Sequence, residues 1–355
     1  MKKDMIDYIR ETPSEIQQIL QNDKQIFAEY VCLLSDSIEK IYLVGSGSSL
    51  NAAIGAVDLM EQVLQIEVEP VKAMAFTDRT FINSNSIVIG ISQGGISEST
   101  IEALDRAKEA AIKTLAVSGN DNAGIINHAD VFLPLHISEE HVGPKTKGVY
   151  ATIAELDLLA LRWAETLERI TADQAQGYRN QLEDELSQMC SRIEEIALWY
   201  QKNKAVFQDI NQIVLVGDDH VAGTVAEGSL KMLECLECLV HGYELEEFMH
   251  GIYHAMDNKT LIIGIGFPDR HYARLVRLLQ YLRKEYDAKA VLISNKEEDD
   301  ITTFVYPFMD NVLFSTFSWL IFLQVIARYV SLDRGIDCCA TGKSEFHKVM
   351  QSYRY

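Results

Sequence analysis

Short apolar runs alternate with amphipathic stretches along this chain. IYLVG (41–45), SIVIGIS (86–92), TLAVSG (114–119) and VFLPL (131–135) are each apolar at nearly consecutive positions. The alternation returns in IVLVG (213–217), TLIIGIG (260–266), AVLISN (290–295) and TFVYPF (303–308). Strands buried on both faces carry such runs, and helical patterns between them predict parallel sheets covered on both sides. The two sets also correspond to each other. Ile213 follows Ile41 by 172 positions, Thr260 follows Ser86 by 174, and Lys289 follows Lys113 by 176. So small a drift over three strands predicts an internal duplication, with two doubly wound α/β domains.

The stretch from 163 to 204 is polar and helical without Pro/Gly-rich linker character, so helices are expected to join the halves. A helical segment over 5–36 precedes the first strand. The expected division is an N-terminal helical segment (1–36), one α/β domain (37–185), a second (186–340) and a tail (341–355).

The copies differ at their strand ends. After the first run, copy one has GSGSSLNAA (45–53) where copy two has GDDHVAGTV (217–225); after the next, SQGGISES (92–99) stands against GFPDRHYA (266–273). Open parallel sheets bind ligands at the carboxyl ends of their strands, near a topological switch point. Glycines admit a ligand close to the backbone, and hydroxyls with helix N-terminal N–H groups suit an anion. Gly47, Ser48, Ser49, Ser92, Gln93, Gly94, Gly95 and Ser97 are therefore candidate anion ligands. An ordinary N-cap at Ser97 after a Gly94–Gly95 turn is the competing reading. Copy two, with acids, Phe267 and Pro268, reads as a scaffold without that pocket.

A chain of 355 residues, 48% hydrophobic and 24% charged, has the size and composition of a two-domain globular protein. Its net charge of −20 argues against nucleic-acid or anionic-membrane partners, so any anionic ligand must be held by local donors. No apolar run reads as long as a membrane span and the N-terminus lacks a signal-like apolar core, so a cytoplasmic location is expected. The six cysteines are scattered and suggest no disulfide framework, and Cys235 and Cys238 read as helix thiols, not as a zinc site. His250 and His254 stand at i, i+4, but HGIYH (250–254) lacks the glutamate and third ligand of a zinc helix, so no metal is expected. TGKS (341–344) lacks the earlier glycine of a P-loop, and GSGSSLNAA lacks the third glycine of a dinucleotide fingerprint.

Taken together, these motifs resemble the double sugar-isomerase (SIS) domain family, which includes the isomerase half of glucosamine-6-phosphate synthase and the fructosamine-6-phosphate deglycases. The resemblance runs from about residue 35 to 355. The family's C-G-T-S-type turn reads Ser46-Gly47-Ser48-Ser49 here. Its S-Q-S-G-E-T-type loop reads Ser92-Gln93-Gly94-Gly95-Ile96-Ser97, with Gly94 replacing a hydroxyl and Ile96 a glutamate. The V-A-S-T-K-A element reads Gly143-Pro144-Lys145-Thr146-Lys147-Gly148. Lys145 in place of the serine leaves two readings, a cation beside the sugar or a solvated loop. EGSLKMLE (227–234) matches E-G-A-L-K-L-K-E, placing Glu227, Lys231 and Glu234 on one helix face, a spacing that surface ion pairs share. EEFMHG (246–251) matches G-E-L-K-H-G, and His250 follows Glu234 by 16 positions, as in the family; Ile252 replaces its proline. Near the end, Lys348 is the candidate for the family's active-site lysine.

The resemblance implies two flavodoxin-like SIS domains acting on a sugar phosphate. Glu234 is implied as the base between C1 and C2, Lys231 as oxyanion stabiliser, and His250 as the ring-opening acid/base. That histidine is implied to come from the partner of a homodimer. Ser49, Ser92, Gln93 and Ser97 are implied to hold the phosphate, with no metal, nucleotide or redox cofactor. The first strand begins about forty residues after Met1, so no glutaminase portion is expected. The expectation is a deglycase that cleaves a 6-phosphorylated sugar–amine adduct to hexose 6-phosphate and free amine. The alternatives are an aldose–ketose isomerase or amino-sugar-phosphate deaminase, and a sugar-phosphate-sensing regulator.

Overall fold

The apolar runs form two parallel sheets in the computed structural model, which describes residues 3–306, 312–340 and 344–354. The chain divides into two units. The first takes in Glu11–Leu186 and the C-terminal stretch from 344; the second takes in Asp4–Arg10 and Ser187–Ala340. The expected separate segment over 1–36 is thus shared between the units, and the tail belongs to the first.

In the first unit, α1 (Met5–Ile26, from Glu11 onward) leads to β1 (Lys40–Gly45), α2 (Ser48–Leu64), β2 (Glu67–Lys72) and α3 (Ala73–Thr77). Then come β3 (Ser86–Ile91), α4 (Glu98–Glu109), β4 (Lys113–Ser118), β5 (Val131–Pro134) and α5 (Lys147–Thr166), and α6 (Ala172–Asn203) begins there. The sheet order is β2-β1-β3-β4-β5, so the winding reverses between β1 and β3. The second unit repeats the plan with β6 (Gln212–Gly217), α7 (Ala222–Leu236), β7 (Leu239–Glu244), α8 (Leu245–Phe248) and β8 (Thr260–Ile265). It continues with α9 (Tyr272–Tyr286), β9 (Lys289–Ser294), β10 (Thr302–Val305) and α10 (Ser315–Asp333). Its order, β7-β6-β8-β9-β10, is the same topology. The duplication expected from the offsets is present in the fold. The short α11 (Ser344–Val349) begins the tail.

Two strands escaped the apolar-run criterion, β2 and β7. Both are edge strands and mix exposed residues into the run: Glu67 and Lys72 in β2, Leu239, His241 and Gly242 in β7. Pro70 sits in β2, a position open to proline because an edge strand leaves one side of its ladder unpaired. In the expected strand 303–308, residues 307 and 308 lie outside the described residues, as do 341–343 of TGKS.

The expectation that no apolar run approaches a membrane span needs amending at α10, which has the length and apolarity of one. Most of that helix, 89% of the window, is buried inside the second unit, where it packs against α7. A Cβ on Gly228 of α7 would lie 2.1 Å from Leu323 Cδ1, so glycine there lets the two helices approach closely.

In α5, Asp157 is 1% exposed, and neither carboxylate oxygen has a hydrogen-bond partner among the described residues. Burial raises its pKa well above the ordinary carboxylate value. A raised folded-state pKa contributes stability that is complete below the unfolded pKa of about 3.9 and is lost as pH rises toward the folded value, by up to about 1.4 kcal/mol per pH unit. Asp157→Asn keeps the shape and removes the ionisation. Thermal denaturation between about pH 4 and pH 8 should show the variant gaining on the wild type as pH rises. Parallel curves for the two proteins would mean that Asp157 holds no proton in the fold.

Candidate active-site residues

In the first unit, the turns after β1 and β3 rise from adjacent strands at the switch point, with Val44 paired to Gly90 one residue before each exit. Gly47, at φ 57° and ψ −133°, occupies the N-cap of α2, and Ser48 and Ser49 open that helix. Gly95 has φ +67°, and a Cβ there would lie 2.2 Å from Ala123 Cβ and 2.7 Å from Ser118 Oγ. Only glycine fits that position. Gly94 is different: it is exposed, and a Cβ would meet only Ile96 Cγ1, at 3.8 Å. The loop therefore has room at Gly94 for a side chain with the hydroxyl that this chain lacks. Ser92 is buried, and its Oγ accepts from the Ser97 backbone N–H at 3.4 Å. Ser97 holds the N-cap position of α4 but makes no capping bond; its Oγ accepts from Thr100 Oγ1 at 3.0 Å. The plain N-cap reading of this loop fails on that geometry. The side chain of Gln93 lies against Gly148, where a Cβ would sit 1.9 Å from Nε2. Gly148 thus brings the start of α5 against the Gln93 side chain.

Glu140, which the sequence motifs did not single out, organises that third loop. Its Oε1 accepts from Thr146 N and Oγ1, each at 2.7 Å, and its Oε2 from Gly148 N at 3.3 Å. Lys145 is half-buried and its ammonium donates to the Glu140 carbonyl. Lys147 is wholly buried, bonded to Ser138 Oγ at 2.6 Å, Glu15 at 2.9 Å and Glu11 at 3.2 Å. The solvated-loop reading fails for Lys147, a buried charge whose partners are in place.

The tail adds a strap that no periodicity could reveal, because it is only three residues long. Tyr353 bridges Ser97, Ser352 O accepts from Glu98 N at 3.1 Å, and Arg354 N donates to Ile96 O at 2.8 Å. Arg354 also pairs with the Glu98 carboxylate. Residues 352–354 therefore lie along the Ser92–Ser97 loop, while Lys348 stands exposed on α11 just before them.

In the second unit, α7 carries Lys231 at 1% exposure between Glu227 at 3.4 Å and Glu234 at 2.6 Å. Glu227 is equally buried, whereas the Glu234 side chain is 35% exposed. This is no surface ion pair. Burial disfavours the Lys231 charge, and the two carboxylates outweigh it, so its pKa is raised and the ammonium stays charged. His250 follows α8, is well exposed, and has Nε2 3.5 Å from Glu246 Oε1. Gly251 after it has φ +129°, a conformation open to glycine.

At the carboxyl end of β8, Phe267 occupies the position matching Gln93 under the 174-residue offset. It stacks on buried Trp319 with ring centroids 4.2 Å apart. Where the first unit keeps an amide beside a glycine, the second fills the space with aromatic rings. Burial and Asp269 raise the pKa of Asp218 nearby, an environment hostile to a second anion. An open cleft of about 930 Å³ lies at the opposite, amino edge of this sheet, lined by Lys259, Lys289, Asp209 and Asp300. None of the candidate residues reaches it.

Glutamine–fructose-6-phosphate aminotransferase [isomerizing] of Mycolicibacterium smegmatis is 28% identical over 353 residues, covering 94% of this chain and 55% of that protein. The chain spans about half the length of the curated relatives it matches. A solved structure from Clostridium difficile 630, named provisionally as a phosphosugar isomerase, superposes with a TM-score of 0.91 at 27% identity over 99% of each chain. The C-terminal domain of glucosamine-fructose-6-phosphate aminotransferase from Francisella tularensis shares the fold, with a TM-score of 0.84 at 18% identity, over 96% of this chain and 99% of that one. Residues 33–162 and 207–306, one stretch in each unit, match the SIS domain, and the chain belongs to the SIS domain family.

Proposed function

We propose that this chain moves a proton between C1 and C2 of a 6-phosphorylated sugar–amine adduct and releases the amine by hydrolysis, a deglycase reaction. The observation that carries the reading is Lys231, a buried ammonium clamped between Glu227 and the half-exposed Glu234. A carboxylate with one face open to solvent can accept a carbon-bound proton, and a fixed cation beside it stabilises the enolate oxygen. Glu234 takes the C1 proton, and C2 is reprotonated to leave an imine at C1. Water adds to the imine carbon and the amine leaves, giving the aldose 6-phosphate. Ser48, Ser49, Ser92, Gln93 and Ser97, with the backbone around Gly47, Gly94 and Gly95, hold the phosphate, so that binding energy fixes the reacting carbons. Lys145 supplies positive charge toward the substituent.

An amine substituent is supported by the aminotransferase names of the relatives, which join fructose 6-phosphate to an amino donor. The name of the Clostridium difficile neighbour favours a second reading, aldose–ketose isomerisation with the same base. His250, exposed in its own chain, is assigned to ring opening in the partner of a homodimer.

Incubation with 6-phosphofructosyl-lysine, 6-phosphoglucosyl-lysine, glucosamine 6-phosphate and fructose 6-phosphate decides between these reactions. Release of free lysine is expected. Ammonia from the amino sugar alone, or isomerisation alone, would replace the deglycase reading, and binding without any turnover would mark a sensor. Glu234→Gln should lower kcat by about 10³-fold or more and leave sugar-phosphate affinity within about twofold; an unchanged kcat removes Glu234 as the base. Heterodimers of Glu234→Gln with His250→Ala chains should recover about half of wild-type activity per dimer, since one composite site stays intact. No recovery would place the base and the histidine in one chain's site. Gly94→Ser should tighten sugar-phosphate binding by about tenfold, the worth of one hydrogen bond to a charged group; unchanged affinity would mean that the phosphate lies elsewhere.

A further inference from the structure

The strap at the end of the first unit carries a charge that the proposed reaction leaves unused. Beyond α11 the backbone turns at Gln351, which has φ 51°, and runs back along residues 96–98. His347 steadies that return: its Nδ1 is 2.8 Å from Ser352 Oγ, and its ring stacks on Tyr353 with centroids 4.2 Å apart. Ser352 O takes the Glu98 N–H, the first of α4, at 3.1 Å, and Arg354 N donates to Ile96 O at 2.8 Å. These bonds deliver the Arg354 guanidinium to the Glu98 carboxylate, with Nε 2.7 Å from Oε2 and Nη2 on Oε1.

Glu98 directly follows Ser97, the last hydroxyl of the candidate phosphate loop. The helix dipole favours a carboxylate in the first turn, but that charge repels a phosphate ester bound at the same end. In a chain of net charge −20, an uncancelled acid there would add to a field already unfavourable to an anion. Glu102 and Asp105 continue the acidic face by one and two turns, and Asp105 has its own partner in His128 Nδ1 at 2.7 Å. Arg354 meets Glu98 with two donors, a fork that fixes the direction of the carboxylate as well as offsetting its charge. The two side chains are 38% and 29% exposed, and ion pairs so open to solvent add little to folding stability.

We propose that Arg354 is a positioning residue for sugar-phosphate binding: it cancels the Glu98 carboxylate beside the Ser92–Ser97 loop and ties the strap along that loop. It acts through Glu98 and the loop backbone, not by contact with the ester. The inference rests on the reading that this loop holds the phosphate, and it is independent of which sugar reaction follows.

Titration calorimetry of the intact chain with fructose 6-phosphate, at about 20 mM and about 500 mM salt, is the test. Arg354→Gln should weaken binding about fivefold at low salt, and the loss should shrink to about twofold or less at high salt. Arg354→Lys keeps the charge and should stay within about twofold of wild type. Glu98→Gln should bind at least as tightly as wild type, and Glu98→Gln/Arg354→Gln should recover what Arg354→Gln alone loses. A purely structural brace would leave the double variant as weak as the single one; that outcome, or unchanged affinity in Arg354→Gln, overturns the proposal. Melting temperatures should shift by no more than about 2 °C, which separates lost affinity from lost folding. Ser92→Ala tells apart the two ways of failing. Weaker binding in Ser92→Ala with none lost in Arg354→Gln removes only the role of Arg354, whereas no loss in either takes the phosphate out of this loop and removes both readings.

Discussion

The ammonium of Lys231 is the constraint around which the second unit is organised. An unpaired charge at that depth costs several kcal/mol, so Glu227 and Glu234 must both be held within reach. Helix periodicity puts the three on one face, Lys231 and Glu227 are each 1% exposed, and α7 approaches α10 closely at Gly228 and Leu323. Glu234, near the helix end, keeps part of its surface. One carboxylate is therefore oriented by a buried cation and still open to solvent.

The first unit solves a different problem with the same topology. Its switch point must stay unfilled, so bulk is withheld from it: Gly95 is forced by the clash with Ala123, and Gly148 by Gln93. Glu140 and the buried Lys147 brace the neighbouring loop, and the strap of residues 352–354 lies along the Ser92–Ser97 loop. In the second unit Phe267 and Trp319 occupy the matching space. One duplicated plan has kept small residues at the switch point in one copy and filled the matching place with aromatic rings in the other.

Much of this was legible in the linear order of residues. Runs such as SIVIG and TLIIG are apolar without alternation, which only a doubly covered strand requires, and their constant spacing exposed the repeat. The loops with Gly47, Gly95 and Ser92 were legible because a run of small polar residues stands out directly after an apolar strand. The edge strands β2 and β7 were not, since a strand exposed on one side mixes polar residues into its pattern.

The sequence by itself determined the strand repertoire, the duplication and the chemistry available at each loop, because periodicity and spacing are local properties of the chain. Only the tertiary structure decided that Lys231 is buried and not a surface partner, that Lys147 is braced by Glu11 and Glu15, and that Arg354 pairs with Glu98, 256 positions earlier. Burial depends on which helix covers which face, and long-range pairs depend on where the chain returns. Neither quantity is encoded in any single stretch of residues.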